Sequence, residues 1–311
     1  MMKQVRVAGA LWLIMVFFAC KDRPLPPLQI PPFDAQRAYR LLEQQVAFGP
    51  RVPGSEAHAR CLQFLEDTMK VYADRVQRQS FDHIIDRTGE KVRLTNLISS
   101  FGLEAGPRIL LAAHWDSRPW ADRDPDSTNR DQPVPGANDG ASGVAVLLEI
   151  ARILKEYPPP VGVDIVFFDG EDLGTEGYSD TYAVGAQYFA RKKDVRYNPF
   201  IGILLDMIGD RDLQIYKEIN SVRYAPAVVD LVWNYAARLG IQNFINEPRH
   251  EVVDDHVPLL QVGIPCINII DFDYPYWHTV HDTPDKCSPT SLEKVGKVVL
   301  AVVYNPPLDQ P

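Results

Sequence analysis

Three stretches of this sequence are apolar at almost every position: Ile109-Leu110-Leu111-Ala112-Ala113, Val161 to Phe168, and Phe200 to Leu205. A strand with one face in water alternates apolar and polar residues. A strand covered on both faces does not. These runs therefore predict strands sandwiched between helices, and helix-patterned segments lie around them. Asp34 can cap a helix reaching about Phe48, and Ser55 with Glu56 opens a second. Ser142 to Leu154, Thr181 to Lys193, Pro226 to Leu239, Val257 to Gln261 and Ser288 to Tyr304 carry helical patterns, and Asn96 to Phe101 and Pro265 to Ile270 read as further strands. Strands alternating with helices predict an α/β fold with a largely parallel sheet flanked by helices. No linker interrupts the chain after Pro32, so a single domain is expected.

The ends of these strands carry the chemistry. One run ends at His114-Trp115-Asp116, one at Asp169-Gly170-Glu171-Asp172, one at Asp206, and one leads through Asp271 to Trp277-His278. Ligands of open α/β sheets bind beyond the carboxyl ends of the strands. Asp139 adds a carboxylate inside the Gly-rich GANDGASG segment. Zinc takes imidazole nitrogen and carboxylate oxygen, and no Cys-x-x-Cys spacing is present. His114, Asp139, Asp172, Asp206 and His278 are thus the candidate ligands.

Each has a bland reading. Asp139 could cap the helix beginning near Ala141, Asp206 a turn with Gly209, and His278 could pack on Trp277. Taken together, these readings need several carboxylates and imidazoles to gather at strand ends for unrelated reasons. Adjacent side chains in an extended segment diverge, so one of Glu171 and Asp172 can hold a metal while the other faces substrate. A carboxylate beside a cation but not bound to it can carry a proton. Asp122-Arg123-Asp124-Pro125-Asp126 resembles the start of a calcium loop but lacks its Gly and its closing Glu. It reads as a polar loop at the rim of the site. Net charge is -9 without a basic run, which argues against nucleic acid as a partner.

The front of the chain reads as a targeting segment. Lys3 and Arg6 precede an apolar run from Val7 to Phe18, which ends in Phe17-Phe18-Ala19-Cys20. This resembles a bacterial lipoprotein signal. Residues 1–20 are expected to form a lipoprotein-type signal, with Cys20 as the lipidated first residue after cleavage and the protein exported as a periplasmic or outer-membrane-associated lipoprotein. Residues 21–33 are Pro-rich and read as a tether, leaving 34–311 as the catalytic domain. Cys61 and Cys266 fit buried apolar positions, and a Cys266–Cys287 bridge has no support in the sequence.

The segments AHWDS, GANDGASG, FFDGED, LLDMIG and WHTVHDT, in this order, resemble the M28 family of zinc exopeptidases. GPRVPGSEAHAR, DDHVPLL and YPYWHT look most like the glutaminyl cyclases of that family, of the animal type and their bacterial relatives. The resemblance implies a central mixed sheet flanked by helices and one zinc per chain, held by Asp139, Asp172 and His278. It implies Glu171 as general acid/base, Asp206 and Asp254 as proton-relay partners, Trp277 as an aromatic wall, and peptides or proteins with N-terminal Gln as substrates. His114 matches a ligand of the second metal in two-zinc aminopeptidases. That activity is the alternative, with His114 and Asp206 on a second zinc and Asp139 bridging. A non-catalytic binding module would be expected to have lost ligands, and none is lost here.

The chain departs from the animal cyclases at three points. Asp172 stands in place of Glu, Leu173 to Gly177 lacks their Trp, and Ala113 replaces a Cys.

Overall fold

The computed structural model describes residues 27–308. The expected signal segment, with Cys20, lies outside the described residues, as does the start of the expected tether.

In chain order the elements are α1 (Ala35–Val46), α2 (Glu56–Tyr72), β1 (Arg75–Ile84), β2 (Lys91–Phe101), β3 (Arg108–His114), α3 (Ala141–Glu156), β4 (Gly162–Phe168), α4 (Val184–Lys192), β5 (Ile201–Asp206), β6 (Ile215–Lys217), α5 (Ile219–Tyr224), α6 (Pro226–Arg238), β7 (Phe244–Pro248), α7 (His256–Gln261), β8 (Cys266–Ile270) and α8 (Pro289–Tyr304). Six strands form one sheet in the order β1-β2-β4-β3-β5-β8. The β4-β3-β5-β8 neighbours run parallel, and β1-β2 and β2-β4 run antiparallel. The fold is therefore α/β with a mixed, mostly parallel central sheet.

The apolar runs now have their cause. In β3, Ile109, Leu111 and Ala113 join the larger core cluster, which includes residues of α1, α3, α6 and α8. Leu110 and Ala112 point the other way, into a cluster with Ala186 and Phe189 of α4 and Leu259 of α7. Alternate residues thus serve opposite layers. Val163, Ile165 and Phe167 of β4 face one layer, and Val166 and Phe168 the other. Burying each such side chain contributes on the order of 2 kcal/mol.

The helix starts follow local capping rules. Asp34 accepts a hydrogen bond from the Arg37 N–H, and Ser55 from that of His58. The helix expected from Thr181 begins at Val184, behind a 3-10 turn at Ser179–Thr181. Strand β1 was not expected, because its sequence RVQRQSFDHI alternates weakly and buries only Phe81.

Within the stretch expected as a tether, Leu28 and Ile30 pack on the core and Phe33 is buried against Gly296 of α8. Gln29 and Asn305 exchange two hydrogen bonds of 3.1 and 3.0 Å. Cys61, Cys266 and Cys287 are buried and free, so no Cys266–Cys287 bridge forms. Among the described residues no helix is long and apolar enough to cross a membrane.

Candidate active site

The four parallel strands point their carboxyl ends at one edge of the sheet. His114 ends β3, Asp206 ends β5, Glu171 and Asp172 follow β4, and His278 follows β8. Asp139, Glu171, Asp172, Asp206, Asp254, Trp277 and His278 all line one cavity of about 330 Å³. His114 is buried just behind it at 1% exposure. Every residue singled out from the sequence is thus brought together.

The polar atoms form two overlapping groups. His278 Nε2 lies 3.1 Å from Asp172 Oδ1 and 3.7 Å from Asp139 Oδ2. His114 Nε2 lies 3.0 Å from Asp139 Oδ1 and 3.2 Å from Asp206 Oδ1. Asp139 belongs to both. It does not cap the following helix, whose N-cap is Gly140 without any side-chain bond. Asp139-Asp172-His278, His114-Asp139-Asp206 and His114-Glu171-Asp172 each gather their donor atoms within 4.8 Å.

These donors suit zinc, which favours imidazole and carboxylate. Asp172 Oδ2 is buried and has no hydrogen-bond partner in the protein. A buried carboxylate oxygen without a partner costs free energy unless a cation or water meets it. The residues present therefore fit a metal ion.

The backbone around the ligands is held by buried charge. Asp116 accepts the N–H groups of both Glu171 and Asp172 at 3.2 Å. Its Oδ1 also lies 3.5 Å from His114 Nδ1. Asp282 accepts the N–H groups of Asn138 and Asp139 at 2.8 and 3.1 Å, and takes the Tyr274 hydroxyl at 2.7 Å. Arg51 donates to the carbonyls of Pro135 and Gly136. The ligand loop also needs Gly140: with φ at +94°, a Cβ there would stand 2.6 Å from the Asp116 carbonyl oxygen.

His278 (φ 55°) and Met207 (φ 46°), which directly follows Asp206, both occupy the left-handed region. Such strain persists only where the surroundings impose it, and it clusters at functional sites.

Behind His278 stands a residue that the sequence reading placed only in a rim loop. Asp122 Oδ1 lies 3.5 Å from His278 Nδ1, and both Asp122 oxygens receive Arg118 at 2.9 and 2.6 Å. Arg118 also donates to the backbone carbonyls of Asp172 and Gly174. Partial burial acts upward on the Asp122 carboxyl, but His278 and Arg118 hold it well below the usual carboxylate range. In the same loop Asp124 accepts the N–H groups of Asp126 and Val280 and the Asn129 side-chain amide.

The catalytic-type carboxyls behave differently. Burial, then the charges of Asp172 and Asp254, push Glu171 well above its ordinary pKa. Burial, then Asp206, pushes Asp254 up to about 7. Asp254 accepts from Asn268 Nδ2 and from the Asp255 N–H, both at 2.5 Å. Burial also opposes ionisation of Asp172, but His278 and Arg118 hold it down to about 2. The adjacent pair Glu171 and Asp172 is therefore split, Glu171 with the higher proton affinity and Asp172 with the lower.

Trp277 forms one wall. Its ring centroid is 4.0 Å from that of His278 and 5.0 Å from that of Phe272. Tyr182, packed against Gly174, also lines the cavity. Neither Phe272 nor Tyr182 was expected; both are aromatic residues in turn-rich segments with no spacing signal.

The model for peptidase family M28 matches residues 96–303. The Tannerella forsythia glutaminyl cyclase structure is 44% identical with a TM-score of 0.85, covering 88% of this chain and 99% of that one. The Bacteroides thetaiotaomicron glutaminyl cyclase bound to N-acetylhistamine is 40% identical with a TM-score of 0.86, covering 89% and 99%. The Bacillus subtilis aminopeptidase YwaD is 28% identical over 209 residues, which span 63% of this chain and only 40% of the aminopeptidase.

Proposed function

The chain belongs to peptidase family M28, and on that premise we propose that it converts N-terminal glutaminyl residues of peptides into pyroglutamyl residues, releasing ammonia. The observation that carries this is the gathering of three carboxyls, Glu171, Asp206 and Asp254, with Trp277 in one small cavity beside Asp139, Asp172 and His278. Similarity to glutaminyl cyclases over nearly their whole chains supports it.

Asp139, Asp172 and His278 would hold one zinc ion, which when bound supplies Lewis-acid polarisation of the substrate amide carbonyl. Glu171 accepts a proton from the α-amine as that nitrogen bonds to the side-chain carbonyl carbon. The same carboxyl returns a proton to the leaving nitrogen as the carbon–nitrogen bond breaks, and ammonia departs. Asp254, whose proton affinity burial and the Asp206 charge raise, and Asp206 hold and orient that nitrogen. No water is consumed. Attack is intramolecular, so the pocket has only to keep the glutaminyl side chain folded back, and Trp277 packs on it and excludes water.

A second reading rests on one observation: His114 Nε2 sits within 3.2 Å of both Asp139 and Asp206, which completes a second ligand set. A two-zinc aminopeptidase would use it. The test is to offer zinc-loaded protein peptides beginning with Gln and with Leu. Loss of one ammonia from the former alone supports cyclisation; shortening of the latter supports the aminopeptidase.

We also infer, from the sequence pattern at Phe17 to Cys20, that the chain is exported and anchored through a lipid on Cys20, with the catalytic domain spanning 34–311. Cys20→Ser should abolish incorporation of labelled palmitate in a bacterial host. Undiminished labelling contradicts the anchor.

A further inference from the structure

A second hollow adjoins the cavity. It measures about 530 Å³ and shares Glu251 and Val253 with the first. The segment Glu251–Val253 is thus a ridge between the two. The ridge is fixed in place: the Val252 N–H donates to Glu218 Oε1 at 3.1 Å, and its carbonyl accepts from Asn220 Nδ2 at 3.0 Å. Beyond it the hollow is mainly apolar, formed by Tyr224 from the end of α5 and by Val257 and Leu260 from α7. Tyr224 is 62% and Val253 42% exposed. Large apolar groups left in water beside a catalytic pocket call for an occupant.

We propose that this hollow receives the side chain of the third residue of the substrate and selects large apolar or aromatic side chains there. The inference rests on the cyclisation reading and extends it. A 330 Å³ cavity accommodates the glutaminyl side chain, so the rest of the peptide must leave over its rim. An extended peptide alternates its side chains and advances about 3.3 Å per residue. The second side chain then points to solvent, and the third returns to the protein about 7 Å further on, across the ridge. The occupant is accordingly the substrate's own downstream chain, because the hollow adjoins, across that ridge, the pocket that holds its first residue.

The test compares Gln-Ala-Ala-Ala, Gln-Phe-Ala-Ala and Gln-Ala-Phe-Ala as substrates of the zinc-loaded protein and of Tyr224→Ala. Phenylalanine third should raise kcat/KM about tenfold, mainly through KM. Phenylalanine second should not. Tyr224→Ala should remove the gain while Gln-Ala-Ala-Ala turns over as before. No gain, a gain at the second position instead, or a gain that survives Tyr224→Ala overturns the proposal. If no Gln peptide reacts, the cyclisation reading fails, and isothermal titration with the same peptides still decides the hollow. Tighter binding of the third-Phe peptide, lost in Tyr224→Ala, supports it; equal binding overturns it.

Discussion

The Nδ1 of His278 lies 3.5 Å from Oδ1 of Asp122, while its Nε2 faces Asp172 at 3.1 Å and Asp139 at 3.7 Å. One imidazole is thus shared between a carboxylate that orients it and the carboxylates beside which it would bind metal. The second partner fixes the ring and its tautomer. Asp122→Asn should therefore weaken zinc binding about 10- to 100-fold, while the fold persists because Arg118 keeps its bonds to the Asp172 and Gly174 carbonyls. Competition against a chelator of known affinity reads this. An unchanged zinc affinity would mean that Asp122 serves only Arg118.

Glu171 is the cavity carboxyl assigned to proton transfer. Its N–H is fixed by Asp116 at 3.2 Å, so Glu171→Gln keeps the backbone geometry. Turnover should fall by about 10²- to 10⁴-fold with zinc content unchanged. Near-normal turnover would remove Glu171 from the mechanism.

Helix α3 approaches β5 closely at Gly143, where a Cβ would stand 2.2 Å from the Leu205 carbonyl oxygen. Backbone cannot yield there as a flexible side chain could. Gly143→Ala should cost about 1–3 kcal/mol and, by shifting the start of α3, disturb Asp139 as well. Chemical denaturation together with zinc titration checks both effects. An unaltered midpoint would show that the helix can slide.

Glu218, which holds the ridge beside the cavity, is buried and accepts the N–H groups of Asn220, Ser221 and Val252, the Ser221 hydroxyl and His256 Nε2. Burial acts upward, but these partners hold its carboxyl down to about 2. Its folded pKa lies below the unfolded value of about 4.3. The stabilisation is therefore complete above the unfolded pKa and disappears as pH falls toward the folded one. Glu218→Gln should lower stability by about 3 kcal/mol near pH 7, and the gap to the unsubstituted protein should shrink near pH 3. A gap independent of pH would contradict an ionised Glu218.

The legible parts of the fold were those where local signals agree with burial. Asp34 and Ser55 cap the helices they were expected to cap, and the apolar runs are strands because both faces are covered. Strand β1 was illegible since it exposes most of both faces and owes its place to pairing with β2. The residues at the strand ends could be found because ligand-capable types recur there. The residues that support them could not. Asp116 and Asp282 act on backbone N–H groups, which leaves no spacing signature. Asp122 sits among charges that read as a solvated loop, yet it turns inward to Arg118 and His278.

In the proposed reaction an amine of the substrate, and no water, attacks the glutaminyl carbonyl. The most direct measurement is the mass of the product formed from Gln-Ala-Ala-Ala by zinc-loaded protein in heavy-oxygen water, against a control without protein. Cyclisation requires a product lighter by one ammonia, formed only with the protein and carrying no heavy oxygen. Free glutamine with a shortened peptide, or heavy oxygen in the product, would contradict it and assign the site to hydrolysis.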